Sequence, residues 1–160
     1  KLALGSKTGN IKFSEGKDVI NHVLCDYEEG YDNMPLSETD SLDNILEQEH
    51  STCILVKLDV EGYELEVLKG MDSTLANPGL KAIIVEINNS GMRYGYADEE
   101  IHTILSANNF IPCEYDPYTR KINELDTYKN NGNTIYLRDI EFVKARVINA
   151  PSFEINNLKI

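Results

Sequence analysis

Asp59 and Glu61 are the residues of this chain whose type and spacing best suit acid–base chemistry. They close the run Ile54-Leu55-Val56-Lys57-Leu58-Asp59-Val60-Glu61-Gly62, in which β-branched and aliphatic residues end on two carboxylates and a glycine. An amphipathic helix starts at once after them. Strand side chains alternate with period two, so Lys57, Asp59 and Glu61 fall on one side. Acids at the carboxyl end of a buried strand stand where open α/β sheets take their ligands. Such a pair can deprotonate a hydroxyl, face a cationic cofactor or hold a divalent ion, while helix capping is the simpler alternative. Lys57 inside an apolar strand needs a partner, because an unpaired buried ammonium costs several kcal/mol. The expected partner is Glu86, in the next apolar run Ile83-Ile84-Val85-Glu86-Ile87-Asn88.

The elements that must carry these groups follow from periodicity and turn residues. Leu2 to Leu4 ends a strand, and Asn10 to Phe13 alternates after the turn signal Lys7-Thr8-Gly9. Residues 14–36 are polar and irregular. Ser41 caps a helix running to about Gln48, which leads into the strand Cys53 to Leu58. Leu65, Leu68, Met71 and Leu75 share one helix face, with Glu64 and Glu66 in the first turn and Asn77-Pro78-Gly79 as the stop. A strand from Leu80 to Ile87, a helix from Asp98 to Asn109, and strands at Ile111–Tyr115 and Thr134–Leu137 complete the order. Strands alternating with helices point to parallel pairing through right-handed crossovers, with an antiparallel strand at the end. The segment 140–160 reads as a surface tail in which Phe142, Val143, Val147 and Ile148 could dock one short helix.

Composition narrows the partners. The 160 residues suit one domain, and 27 acidic against 15 basic residues give a formal charge of −12, which repels a phosphate backbone and argues against nucleic acid. Cys25, Cys53 and Cys113 form no Cys-x-x-Cys pair, and His22, His50 and His102 show no metal-ligand spacing. With no run of about 18 apolar residues and no secretion signal, neither a membrane span nor export is expected, and the chain reads as cytoplasmic. No glycine-rich phosphate loop is visible. Gly91-Met92-Arg93-Tyr94-Gly95 follows the second strand's carboxyl end, where a substrate loop or an ordinary surface loop would stand.

The run Val56 to Gly70 closely resembles the hallmark of the FkbM-type methyltransferases, Lys-x-Asp-x-Glu-Gly-x-Glu-x-x-x-Leu-x-Gly, carried here by Lys57, Asp59, Glu61, Gly62, Glu64, Leu68 and Gly70. Flanking matches lie at Ala3 to Gly9 with Phe13, at Ser41 to Leu46 and at Val85-Glu86-Ile87, so the resemblance spans roughly residues 3–138. It implies an α/β fold: the Rossmann-like sheet of class I methyltransferases, mostly parallel with an antiparallel terminal strand. It also implies S-adenosylmethionine as cofactor and a small-molecule hydroxyl, on a sugar, polyketide or similar compound, as methyl acceptor. Asp59 would lie beside the sulfonium and share the catalytic work with Glu61. Lys57, Glu86 and Asn88 would orient groups or face the substrate. No metal is implied.

The family's first strand, its glycine-rich turn and its ribose-binding acid have no counterpart here, so residues 1–139 look like the carboxyl-terminal part of that domain. The hallmark strand would then present an unpaired edge and favour self-association. Two other readings stay open: a catalytically inactive α/β module that binds a partner protein, and divalent-cation binding by Asp59, Glu61 and Glu86.

Overall fold

A computed structural model describes residues 2–14, 21–25, 27–28, 34–155 and 158–159; Lys1 and part of the polar stretch 14–36 lie outside the described residues. β1 (Leu2–Leu4), β2 (Gly9–Lys12) and β3 (Leu36–Asp40) form a small sheet in which β3 is central, parallel to β1 and antiparallel to β2. α1 (Leu42–Gln48) follows, capped as expected by Ser41, whose hydroxyl accepts from Asn44 N–H at 3.2 Å. The chain then builds β4 (Leu55–Leu58), α2 (Glu64–Leu68), α3 (Asp72–Ala76), β5 (Ala82–Glu86), a 3-10 turn (Ser90–Tyr94), α4 (Asp98–Ala107), β6 (Ile111–Asp116), β7 (Lys121–Glu124) and β8 (Asn133–Leu137). α5 (Ile140–Asn149) and the short pair β9 (Glu154–Ile155) and β10 (Leu158–Lys159) end it.

The larger sheet has the order β4-β5-β8-β6-β7. It is mixed, and this corrects the mostly parallel sheet expected from the alternation of elements. Only β4 and β5 pair in parallel; β8 is antiparallel to both β5 and β6, and β7 to β6. The α4 crossover does return β6 in the direction of β5, since both run antiparallel to β8. β8 then slots between them and converts one parallel ladder into two antiparallel ones. β7, unmarked by any strong apolar run, exists because Asp116 closes a hairpin: its carboxylate accepts from Tyr118 N–H (2.9 Å) and the Thr119 hydroxyl (2.6 Å).

One sheet face packs against α2, α3 and α4 through Leu58, Val67, Leu68, Leu75, Ile83, Val85, Ile101 and Leu105, all buried. The other face holds Ala82, Cys113 and Leu137, which Ile140 and Val143 of α5 partly cover. The single helix expected from Leu65 to Leu75 is broken at Gly70. A Cβ there would lie 2.2 Å from the Gly5 carbonyl oxygen, so the small sheet packs directly on the backbone at the break. α1 fixes the next turn, since the Asp43 carboxylate accepts from Ser73 N–H (2.7 Å), Thr74 N–H (2.8 Å) and the Thr74 hydroxyl (2.5 Å).

Arg138, just after β8, clamps two helix ends. Its guanidinium donates to the carbonyls of Asn77 (2.7 Å), Leu75 (2.5 Å) and Asn108 (2.6 Å), with Phe110 beneath it at 4.2 Å. Helix carbonyls left without donors are costly when shielded from water. Arg138→Ala is therefore expected to destabilise the fold by about 3 kcal/mol, read as a lower denaturant midpoint. A midpoint within error of the parent would refute the clamp. No helix among the described residues is long and apolar enough to cross a membrane.

Candidate functional site

β4 carries the acids differently from the buried strand expected. It stands at the edge of its sheet, with Val56 and Leu58 buried on the helix-covered face and Leu55 and Lys57 exposed on the other. Lys57 therefore needs no deep partner, and its ammonium bonds Asp59 Oδ2 rather than forming the expected ion pair with Glu86. β4 and β5 pair with Leu58 opposite Val85, so the next position along sets Asp59 against Glu86. Carboxylate oxygens of Asp59, Glu61 and Glu86 lie within 4.8 Å of one another.

Two of them, Asp59 and Glu86, are shifted in opposite directions. The hydrogen bond from Lys57 holds Asp59 below the usual carboxylate range, with further help from Glu86 and against some desolvation. Burial, then the neighbouring Asp59, Glu61 and Glu64, push Glu86 up. The pair is thus divided into a carboxylate, Asp59, and a neighbour with greater affinity for a proton. With Lys57 counted, the cluster stays negative whether or not Glu86 is protonated. It has the oxygens a divalent ion would want, but one of them is already committed to an ammonium.

Asp59 and Glu61 line a cavity of about 470 Å³ between the two sheets, together with Ala3, Leu4, Phe13, Val23 and Tyr63. The backbone that aims them there is a tight turn. Glu61 and Gly62 have φ of 53° and 99°, and Tyr63 N–H donates to the Val60 carbonyl at 3.2 Å. Positive φ at both central residues is the turn class that takes glycine, and a Cβ on Gly62 would meet the Ser90 carbonyl oxygen at 2.6 Å.

Two residues that sequence reasoning passed over hold this turn. Glu64, read as a helix-dipole acid, is 2% exposed, and its Oε1 accepts from Val60 N–H (3.1 Å) and Gly62 N–H (3.3 Å). The buried Tyr96 hydroxyl donates to the Gly62 carbonyl and accepts from Leu65 N–H at 3.2 Å. Arg93 adds a third tie, donating from Nη1 to the Glu61 carbonyl at 3.0 Å. The available signal was Glu64 itself, an acid at the start of a helix within reach of the N–H groups that a preceding turn leaves open. Asn88, expected on the substrate side, accepts from Ser90 N–H at 3.0 Å and so shapes the turn that carries Arg93.

Burial raises the Glu64 pKa above 4.5, its ordinary value, against the opposing N–H donors. The folded state then binds a proton that the unfolded state has released, so this group's contribution to stability falls as pH rises from 4.5 through the folded value. Glu64→Gln keeps an acceptor oxygen and removes the charge. A flatter stability profile across that window is the expected outcome, measured by urea unfolding at several pH values; an unchanged slope would assign the effect elsewhere.

The family model described as the methyltransferase FkbM domain matches residues 9–112, a span that includes the acidic turn, Glu64, Glu86 and Tyr96. Searches of curated proteins and of solved structures return no match.

Proposed function

Because the chain belongs to the FkbM methyltransferase domain family, we propose that it transfers a methyl group from S-adenosylmethionine to a small-molecule hydroxyl, on a sugar, polyketide or related compound. The observation that carries this reading is the acidic cavity wall: Asp59, held ionised beside Lys57, and Glu61 line it, with Glu86, its pKa raised, next to Asp59. Such a donor set fits a positively charged ligand, since the cluster keeps net negative charge after Lys57 is counted. S-adenosylmethionine supplies a methyl group activated on a cationic sulfur. Asp59 and Glu61 would hold that end.

The chain's own residues then have separate tasks. Lys57 occupies Oδ2 of Asp59 and keeps the carboxylate ionised, which leaves Oδ1 to accept the acceptor hydroxyl's proton. Glu86, beside it, would share the incoming proton. Glu64, Tyr96 and Arg93 fix the turn, so the acids need not reorganise when a ligand arrives. Calorimetry with S-adenosylhomocysteine tests the reading: saturable binding that Asp59→Asn abolishes is expected, and no heat at millimolar ligand would end it.

A second reading has its own observation. Ile54 and Leu55, 54% and 50% exposed, lie at or beside the outer edge of β4. An edge of this kind can accept a further strand, from a second copy or from a partner protein. Sedimentation over a wide concentration range would test self-association there; a monomer throughout would count against it.

A further inference from the structure

A larger cavity, of about 970 Å³, opens beside the first. Its walls come from β2, residues 23–25, Tyr27, Glu28 and residues 92–95, and Val23 and Tyr63 line both cavities. Building on the methyltransferase reading above, we infer that this cavity receives the methyl acceptor, and that the acceptor is a hydroxylated ring bearing an oxyanion, bound by Arg93 between tyrosine rings.

The charges on the walls support an anion. Both acids there are already satisfied within the protein. Glu28 accepts from Cys25 N–H (2.9 Å) and bonds His22 Nε2 (2.9 Å), while Glu66 takes the Ser6 hydroxyl (3.0 Å) and the Lys69 ammonium (2.6 Å). Arg93 is different. No carboxylate among the described residues lies within ion-pair distance of its guanidinium. Its guanidinium bonds a neutral carbonyl, that of Glu61, and lies 6.0 Å from the centre of the Tyr94 ring. A guanidinium has five N–H donors in a fixed fork, suited to carboxylate and phosphate oxygens. In a chain of net charge −12, an arginine without a carboxylate partner at a cavity wall stands out as an oxyanion site.

The aromatic groups supply the ring's other contacts. Tyr63 and Tyr94 meet edge to face at 5.3 Å and 71°. Hydroxyls of Tyr94 and Tyr27 are turned away into the protein, donating to the carbonyls of Val23 (2.7 Å) and Arg93 (2.6 Å). What the tyrosines offer a ligand is therefore their rings, whose electron-rich faces suit the polarised C–H groups of a saturated ring. The volume lies near the upper end of small-molecule sites. Arg93 also links this cavity to the reactive one, because the carbonyl it holds belongs to Glu61.

The test is an NMR titration of the full chain with methyl glucuronide, glucose 6-phosphate and methyl glucoside, run alongside S-adenosylhomocysteine. Saturable amide shifts at Tyr63, Arg93 and Tyr94 are expected with at least one anionic probe, with affinity at least tenfold above the neutral glucoside. Which anion binds better separates a carboxylate acceptor from a phosphorylated one. Arg93→Gln should abolish that preference. Met92→Glu, at a side chain 73% exposed, leaves the Arg93 bonds in place and should weaken only the anionic probes. Equal binding of charged and neutral probes, or shifts confined to other residues, would overturn the inference. Cofactor-product shifts at Asp59 to Glu61 without any sugar response at 92–95 would overturn it and leave the methyltransferase reading standing. The opposite pattern would remove that reading and keep an anion site.

Discussion

Asp59→Asn is expected to lower the rate of methyl transfer by about two to four orders of magnitude, the range typical of losing a positioned general base. The substitution is nearly isosteric and sits on an exposed strand edge, so the folded fraction should not change. What disappears is the carboxyl that Lys57 holds below the usual carboxylate range and that lines the cavity, a wall to which Glu86 does not contribute. Single-turnover transfer from labelled S-adenosylmethionine reads the chemical step apart from release. With Asp59 holding the cationic donor as proposed, loss of the charge should also raise KM for the donor as kcat falls. A variant with the parent's rate would remove Asp59 from the chemistry.

The largest effect on stability at the site is expected from Gly62→Ala. At φ of +99° any side chain is strained, and the added Cβ would lie 2.6 Å from a backbone oxygen of Ser90. Neither partner is a flexible side-chain tip, so the turn or the 88–91 segment has to move. A cost of about 2–4 kcal/mol follows, which for a chain of this size lowers Tm by roughly 10 °C. Gly95 is the matched control. Its φ is +83°, but nothing lies within 4 Å of a Cβ built on it. Gly95→Ala should therefore cost only the conformational part, about 1 kcal/mol. Equal melting temperatures for the two variants would show that strain alone, and not the close approach, makes Gly62 necessary.

Where physics acts over a few residues, the sequence was readable. Ser41 as a cap, the stop at Asn77-Pro78-Gly79, the helix from Asp98 and the acids after Leu58 all depend on neighbours along the chain. Lys57 was misjudged because its exposure depends on what stands beside β4, and an apolar run does not say whether a strand is central or at an edge. The break at Gly70 was invisible for a similar reason: its cause is Gly5, distant in sequence and adjacent in space. The position of β8 between β5 and β6 is likewise a choice among long-range pairings that share one hydrophobic pattern. The nearness of Glu61 to Asp59 was legible in their spacing, whereas the part of Tyr96 became legible only once the fold brought its hydroxyl under the Gly62 carbonyl.

The meeting of Gly5 and Gly70 has a mechanical consequence. Two backbones that touch without intervening side chains leave no slack, and β1 ends at this junction while α2, directly after the acidic turn, ends at it from the other side. Leu4 and Glu61, which both line the smaller cleft, are thereby kept at a set gauge. Widening that junction by a single methyl group would pry the banks apart and detune the cleft without altering any residue that lines it.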